Sequence, residues 1–243
     1  MCVLALKRVL LIALFFLSAV AGTNHVVASS LFSEAGKQAV FLSPMERWMP
    51  TWDLEGYVFY LERAGYHVDV LLDESVSISF LKTGLANYDI IILRTDSLDA
   101  EGASYYCSGE PVTAKTRTTF AAEISSGEIV VGACVGFTAA FLKHNYPAKS
   151  LRPGLVFAIG ALTADLSSAF LEGGCSAFVG YNEILGLHWG RLDALSIGLL
   201  RYLSGGYTVK DALKQLDSYI HWGHGNSATW PSLFSSGNED FKI

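Results

Sequence analysis

Short apolar runs of strand length recur along the chain from residue 39 onward. They cover residues 39–42, 68–72, 88–93, 155–159 and 177–179. The runs at 90–93 and 155–159 contain no polar residue. Both faces of those two strands are therefore expected to be buried, which is typical of a parallel sheet with helices on both sides.

Between these runs, apolar residues recur at helical spacing. Helices are predicted over residues 51–65, 76–81, 165–171, 191–203 and 209–219. Thr51 and Thr208 are candidate N-caps, whereas Gly65 and the pair Gly173-Gly174 are stop signals. This alternation predicts an α/β fold, namely a three-layer sandwich with a mostly parallel, doubly wound sheet in a single domain.

Two stretches depart from that alternation. Residues 98–126 are polar and rich in Ser, Thr and Gly, and they are predicted to be an excursion from the sheet. A short strand at 129–131 and a helix at 137–145 are predicted to follow. The tail from residue 221 is predicted to be a loop, with residues 241–243 able to form an edge strand.

The N-terminal 21 residues have the features of an export signal. Lys7 and Arg8 precede a run of about 12 apolar residues, and Ala19-Val20-Ala21 fits the small-x-small pattern of a cleavage site. The run is short for a membrane-spanning helix, which needs roughly 20 residues. We expect a secreted or extracytoplasmic domain over residues 22–243, held at a membrane only if the segment 1–21 is not cleaved.

The charge of the chain argues against nucleic acid as a partner. Removal of residues 1–21 leaves 15 basic residues against 23 acidic ones, a net charge of about −8. A phosphate backbone attracts the opposite sign. The length is that of one α/β domain, with no linker-like stretch or internal repeat. A peptide or protein ligand remains open.

Ligands of open α/β sheets bind beyond the carboxyl ends of the strands, near the point where the strand order reverses. Polar residues follow four of the predicted strands: Ser43, Glu46, Arg94, Thr95, Asp96, Ser97, Thr163, Asp165, Tyr181, Asn182 and Glu183. Arg94, Asp96, Thr163, Asn182 and His188 are the predicted binding rim. The alternative is that such residues cap helices and satisfy turns, as Thr163 is placed to do.

Two segments resemble the caspase, gingipain and legumain group of cysteine peptidases. The sequence YDIIILRTDS, residues 88–97, resembles the strand that carries the catalytic His of that group. The sequence LVFAIGALTADLSSAFLEGGCSAFVGY, residues 155–181, resembles its nucleophile strand, helix and next strand. Gly109-Glu110-Pro111 resembles the Ser-Glu-Pro that opens the excursion in a group of largely archaeal caspase-fold proteins. The resemblance covers about residues 38–216 and lies in order and spacing more than in identity.

The resemblance implies a cysteine peptidase fold in which both catalytic positions are replaced. The position of the base His holds Asp96, and the position of the nucleophilic Cys holds Ala161. A methyl group cannot attack a carbonyl, and a carboxylate with no thiol to activate has no role in covalent catalysis. We therefore expect a catalytically inactive domain that retains a cleft for binding or interaction.

An enzyme that uses Cys134 is the main alternative, either as a hydrolase or as an amidotransferase-like protein. Residues 132–136 have the G-x-C-x-G form of the nucleophile elbow in class I glutamine amidotransferases, where the following helix activates the thiol. His188 or His144 would serve as the base, but the acid that orients such a His is missing after His188. Cys134 is otherwise a buried apolar thiol or a disulfide partner of Cys107.

No metal site and no cofactor are predicted. His221 and His224 lie in the tail, and no acidic or Cys ligand follows them before Glu239. Cys175 precedes a buried strand, where a small apolar residue is wanted, and is expected to be structural. A scaffold in which the sheet edge and the excursion bind a partner chain is a further alternative.

Aromatic residues crowd the region after the first strand, and two roles are open for them. They either pack a helix onto the sheet, or Trp48, Met49 and Trp52 form an exposed apolar lip for a peptide. Packing is the expected role. The cluster consists of Trp48, Trp52, Tyr57, Phe59 and Tyr60.

Overall fold

A six-stranded sheet forms the centre of the fold. The computed structural model describes residues 36–100, 103–152, 154–182, 189–223 and 232–243. Numbered in chain order, the sheet strands are β1 (Gln38–Ser43), β2 (His67–Leu72), β3 (Ile90–Arg94), β8 (Leu155–Ile159), β9 (Ala177–Tyr181) and β10 (Leu233–Gly237). Their spatial order is β10-β9-β8-β3-β1-β2, and every neighbouring pair is parallel except β9 with β10. The predicted fold class is confirmed.

Helices cover both faces of this sheet and complete the three layers. They are α1 (Leu54–Arg63), α2 (Ile78–Thr83), α3 (Ala114–Thr119), α4 (Ala121–Ser125), α5 (Ala139–Asn145), α6 (Ser167–Gly173), α7 (Trp189–Ser204) and α8 (Val209–Gly223). The helices α1, α7 and α8 pack against strand residues such as Phe41 and Ile92, whereas α2, α5 and α6 pack against their neighbours such as Leu42 and Leu93. Successive strand side chains point to opposite faces, so both faces need apolar residues.

A second sheet interrupts the βα alternation between β3 and α5. Its strands are β4 (Ser97–Ala100), β5 (Ala103–Cys107), β6 (Ile129–Val131) and β7 (Val135–Phe137). They run antiparallel in the order β4-β5-β7-β6, and α3 and α4 connect β5 to β6. The strand predicted at 129–131 is present but belongs to this sheet. The helix predicted from residue 137 begins at Ala139, because residues 135–137 pair as a strand.

Side-chain caps set where the helices begin. Asp53 caps α1 by accepting a hydrogen bond from Gly56 N at 2.8 Å, so the cap predicted at Thr51 is wrong. Thr208 caps α8, as predicted, through Asp211 N at 3.1 Å. Gly174 ends α6 at a φ of +115°, which a residue with a Cβ rarely adopts.

The C-terminal edge of the sheet differs from the prediction. The edge strand is β10, paired antiparallel with β9 from Leu233↔Tyr181 to Gly237↔Ala177. Residues 241–243 form no strand. The carbonyl oxygen of Phe241 instead accepts a hydrogen bond from Val209 N at 3.0 Å, at the start of α8.

Residues from Lys37 to Ile243 make up one compact unit. Within the described residues, no helix has the length and apolar character needed to cross a membrane. The predicted export signal lies outside the described residues, as do His188 and Glu183.

Candidate functional site

The carboxyl ends of β3 and β8 lie side by side, and we call this region the inner rim (residues 94–97 and 159–163). Arg94 pairs with Ile159 in the ladder, so Asp96 and Ala161 each follow a paired residue by two positions. Burial raises the pKa of Asp96, and a 3.0 Å hydrogen bond from Ser97 N opposes that shift. Asp96 and Ala161 therefore hold corresponding positions after two neighbouring strands. That these are the positions of the peptidase His and Cys stays a prediction.

Arg94 is buried at the inner rim, with 1% of its surface exposed. Its Nε and Nη2 atoms donate to the two carboxylate oxygens of Asp193 at 2.9 and 3.3 Å. Nη1 and Nη2 also donate to the carbonyl oxygens of Met49 at 2.7 Å and Pro50 at 3.3 Å. The guanidinium lies 4.5 Å from the centroid of the Trp189 ring. These contacts leave Arg94 inside the protein rather than open to a ligand.

Asp193 is the acid that compensates the buried arginine. It also accepts hydrogen bonds from Trp52 N at 3.1 Å and from the Tyr57 hydroxyl at 3.0 Å. Burial, followed by the charge of Asp193, raises the pKa of Tyr57, so this phenol remains a donor at physiological pH. The sequence contained a signal for this residue, because an aspartate between core-facing leucines of a helix requires a buried partner.

Thr163 is a structural residue of the inner rim. Its hydroxyl donates to the carbonyl oxygens of Ala158 at 2.9 Å and Gly160 at 3.0 Å, and it accepts a hydrogen bond from Tyr181 N at 3.0 Å. All three partners are main-chain groups at the ends of β8 and β9. This arrangement fits the structural alternative given for Thr163. Asn182, the next predicted rim residue, is exposed.

The second sheet packs close to the inner rim. Tyr106 of β5 donates from its hydroxyl to the Leu162 carbonyl oxygen at 2.8 Å, and Ser104 Oγ lies 3.3 Å from Asp165 Oδ2. A Cβ placed on Gly160, whose φ is +147°, would lie 1.8 Å from the Thr95 carbonyl oxygen. Only glycine allows the two strand ends to approach this closely.

Glu46 organises the loop that follows β1. Its carboxylate accepts hydrogen bonds from Thr51 N and Thr51 Oγ1, both at 2.6 Å, and from Ser43 Oγ at 2.7 Å. Burial alone would raise the pKa of Glu46, but the hydrogen bonds from Thr51 and Ser43 outweigh it and the pKa is lowered. Thr51 thus fixes the loop through Glu46.

Cys134 forms a disulfide with Cys107, with their Cα atoms 5.8 Å apart. Cys134 lies in the turn between β6 and β7, where Gly132 N donates to its carbonyl oxygen at 3.0 Å. This is a hairpin turn rather than the predicted turn from strand to helix. His144 contacts Glu128, with 2.8 Å between Nδ1 and Oε1, at the opposite end of the same hairpin. The other predicted base, His188, lies outside the described residues.

Cys175 is buried, and its thiol contacts the carbonyl oxygens of Ala177 at 2.8 Å and Gly154 at 3.2 Å. Burial raises the pKa of the Cys175 thiol to about 11, which disfavours the reactive thiolate. The environment fits the structural role expected for this residue. Across the described residues, no three His, Cys, Asp or Glu side chains group closely enough to hold a metal ion.

A cavity of about 490 Å³ opens beyond the carboxyl ends of β1 and β2. We call it the outer cavity, and it is lined by residues from the segments 44–48, 73–74, 108–112 and 133–134. The disulfide joins two of its walls, because Cys107 immediately precedes the 108–112 segment and Cys134 ends the last one. No local pattern predicts this cavity, since four separate segments build it.

Charged groups surround the outer cavity. Arg47 pairs with Glu74, with 3.0 Å between Nη2 and Oε1, and Arg47 N donates to Asp73 Oδ1 at 2.8 Å. Asp73 adopts a φ of +46°, an uncommon conformation for a residue other than glycine. Glu110 makes no side-chain hydrogen bond or ion pair within the described part of the chain. Three carboxylates and one guanidinium therefore line the cavity.

The aromatic residues after β1 divide between core and surface. Tyr57 is fully buried, and its packing prediction is confirmed. Trp48 and Trp52 are 78% and 70% exposed, so packing was the wrong prediction for them, and Phe59 is 56% exposed. Trp48 lines the outer cavity whereas Trp52 does not. The open placement of both indoles agrees with the alternative of an apolar lip.

Comparison with solved structures finds similarity to the Drosophila initiator caspase Dronc. The two are 10% identical with a TM-score of 0.48, over 85% of this chain and 81% of that chain. No family model matches the chain, and no curated protein matches it either. At this level the similarity concerns the fold and says nothing of catalysis.

Proposed function

We propose that this chain is an exported, catalytically inactive domain that binds a peptide or a protein segment in the outer cavity. The observation that carries this proposal is an open cavity beside the exposed indole of Trp48. Large exposed aromatic side chains next to a concave surface are frequent binding residues, because they bury much apolar area at a small cost in conformational entropy.

The charge of the outer cavity indicates the character of the ligand. Asp73, Glu74 and Glu110 line it together with Arg47, which leaves a net negative charge. A ligand with Lys or Arg side chains complements this surface, and Trp48 adds a ring face for a cation. We therefore expect ligands that combine basic and apolar side chains.

Loss of catalysis is supported by the residues of the inner rim. Asp96 and Ala161 supply neither a thiol nor an imidazole there. Cys134 lines the outer cavity, but its sulfur is bonded to Cys107 and cannot act as a thiolate while that bond exists. Covalent catalysis by Cys134 would require reduction first, and His144 is engaged with Glu128 away from it.

Selection from a displayed peptide library on the purified protein, followed by calorimetry, tests the binding role. Trp48→Ala is expected to weaken the binding of selected peptides at least tenfold. Trp52→Ala is the matched control, because its indole is similarly exposed but lies off the cavity, and it is expected to stay within twofold. Equal loss in both variants, or no loss in either, would reject the outer cavity as the site.

Two further measurements address export and the catalytic alternative. The N-terminus of the secreted protein is expected at Gly22, and retention of the protein inside the cell would contradict export.

Incubation of the reduced protein with a diverse peptide library is expected to give no cleavage. Cleavage by the parent protein that disappears in Cys134→Ala would establish Cys134 as a nucleophile and replace the proposal.

A further inference from the structure

The strand β2 is the outer edge of the central sheet, because among the described residues it pairs only with β1. His67 N donates to the Lys37 carbonyl oxygen at 2.9 Å, toward β1. Main-chain groups alternate in direction along a parallel strand. The N–H and C=O groups of Val68, Val70 and Leu72 therefore point away from the sheet.

A groove of about 370 Å³ runs beside this edge, between β2 and α1. Leu54, Val58 and Phe59 of α1 line it together with Val70 of β2. Phe59 is 56% exposed and Val70 is 36% exposed. The groove thus places exposed apolar side chains alongside outward-facing main-chain donors and acceptors, and both are required to accept an added strand.

Two glutamates determine which occupant fits the groove. Glu55 and Glu62 both line it, and their spacing of seven residues along α1 places them on the same face of the helix. A second copy related by a two-fold axis would bring these carboxylates close to their counterparts, which repel. A segment with cationic side chains would be attracted instead.

We propose that the β2 edge and this groove bind an extended segment of another protein, in which the residues on one face of the added strand alternate between apolar side chains and Lys or Arg. The segment adds a strand to β2 through the main-chain groups of Val68, Val70 and Leu72. Residues two positions apart in the added strand face the groove. Among them, the apolar side chains contact Phe59 and Val70, and the cations lie beside Glu55 and Glu62. This surface is separate from the outer cavity and binds independently of it.

A synthetic peptide provides the probe. A fluorescein-labelled peptide of two Lys-Ser-Val-Ser repeats, the Lys-Val peptide, presents Lys and Val on one face of a strand. It is titrated against the purified protein by fluorescence anisotropy, beside a peptide of two Glu-Ser-Val-Ser repeats, the Glu-Val peptide. The Lys-Val peptide is expected to bind at least tenfold more tightly than the Glu-Val peptide. Equal affinity for the two peptides would overturn the proposal.

Two pairs of variants separate main-chain pairing from charge. Val70→Pro removes one outward N–H and leaves the ladder to β1 intact, so it is expected to weaken the Lys-Val peptide at least tenfold. Val70→Thr keeps that N–H and is expected to stay within twofold. The double variant with Glu55→Lys and Glu62→Lys changes only exposed helix positions. It is expected to reverse the preference between the two peptides.

Folding controls and two alternative outcomes complete the test. Circular dichroism and thermal midpoints establish that each variant is folded, and the double glutamate variant tests the site without altering the strand. Trp48→Ala is expected to leave Lys-Val binding unchanged, and a tenfold loss there would move the peptide to the outer cavity. A dimer in sedimentation that Val70→Pro disperses would assign the edge to a second copy and overturn the proposal.

Discussion

Two arginines near the same edge of the sheet have opposite environments. Arg94 is buried and pairs through two atoms with Asp193, whose side chain is also fully buried. Arg47 pairs with Glu74 at the surface, where their side chains are 62% and 58% exposed. A pair of an arginine and a carboxylate therefore has a structural role at the inner rim. At the outer cavity, such a pair stays open to solvent and to a ligand.

The buried pair supports the exposed region. Arg94 holds the carbonyl oxygens of Met49 and Pro50, and Asp193 holds the amide of Trp52. These buried side chains thus fix the main chain of the loop after β1, while the tryptophan side chains of the loop are exposed. Residues at the carboxyl edge of a sheet can serve binding indirectly, by shaping the loop that carries the contacts.

The largest effect should follow from breaking the buried pair. Asp193→Ala leaves the Arg94 charge, the Tyr57 hydroxyl and the Trp52 amide without their acceptor, and is expected to lower the free energy of unfolding by about 4 kcal/mol. Urea denaturation measures it. The double variant Arg94→Met with Asp193→Leu should lose less than Asp193→Ala alone. A greater loss in the double variant would show that the ion pair itself stabilises the fold.

Removal of the disulfide at the outer cavity should have the second-largest effect on stability. Cys107 and Cys134 are 27 residues apart, and the removal of both as serines is expected to reduce the free energy of unfolding by about 3 kcal/mol, because the unfolded chain gains freedom. In reductant, the parent protein and the variant should unfold alike. Equal stability without reductant would mean that the bond adds nothing.

Loss of the Thr163 hydroxyl should have a moderate effect. Thr163→Val keeps the shape but leaves the Tyr181 amide without its acceptor, with an expected loss of about 2 kcal/mol in thermal or urea unfolding. Thr163→Ser retains the hydroxyl and is the matched control. If Thr163→Ser destabilises the protein more than Thr163→Val does, packing of the methyl group rather than hydrogen bonding fixes the inner rim.

Glu46 should give a smaller, pH-dependent effect. Its pKa in the folded protein lies below the ordinary value of 4.5, so the charged form favours folding. That contribution is present above pH 4.5 and is lost as the pH falls through the lower, folded pKa. The stability difference between the parent protein and Glu46→Gln should therefore shrink on acidification. A difference that stays constant from pH 7 to pH 3 would contradict this.

The exposed pair should contribute least. Arg47→Ala is expected to leave the unfolding midpoint unchanged, because solvent and salt screen surface ion pairs. The same variant makes the outer cavity more negative and should tighten a Lys-containing ligand of that cavity in calorimetry. A clear loss of stability in Arg47→Ala would mean that the exposed pair also stabilises the fold, as the buried pair does.

The sequence predicted the central sheet well but not the buried pairing of Arg94, and the reason is physical. Runs such as residues 155–159 are apolar on both faces, and only a buried strand accommodates that pattern. Arg94 was predicted to lie on the binding rim because it follows β3. Its partner Asp193 lies 99 residues away in the sequence, so the pairing could not be predicted. The role of a polar residue depends on which distant group reaches it, and periodicity carries no information about that.

The second sheet was not predicted for a related reason. Its strands are three to five residues long and pair antiparallel across a segment rich in Ser and Thr. Such strands show neither a long apolar run nor a clear alternation. A disulfide with Cys107 was one of three roles considered for Cys134. The bond joins β5 to the turn between β6 and β7 at the outer cavity.

The anchoring of the loop after β1 has a consequence for affinity. A free loop must lose conformational entropy when it closes on a ligand, at a cost of about 1 to 2 kcal/mol for each residue that becomes fixed. Here the hydrogen bonds of Glu46, Arg94 and Asp193 already fix the main chain of this loop. Association should then require reorientation of side chains alone, so a small contact area can suffice for measurable binding.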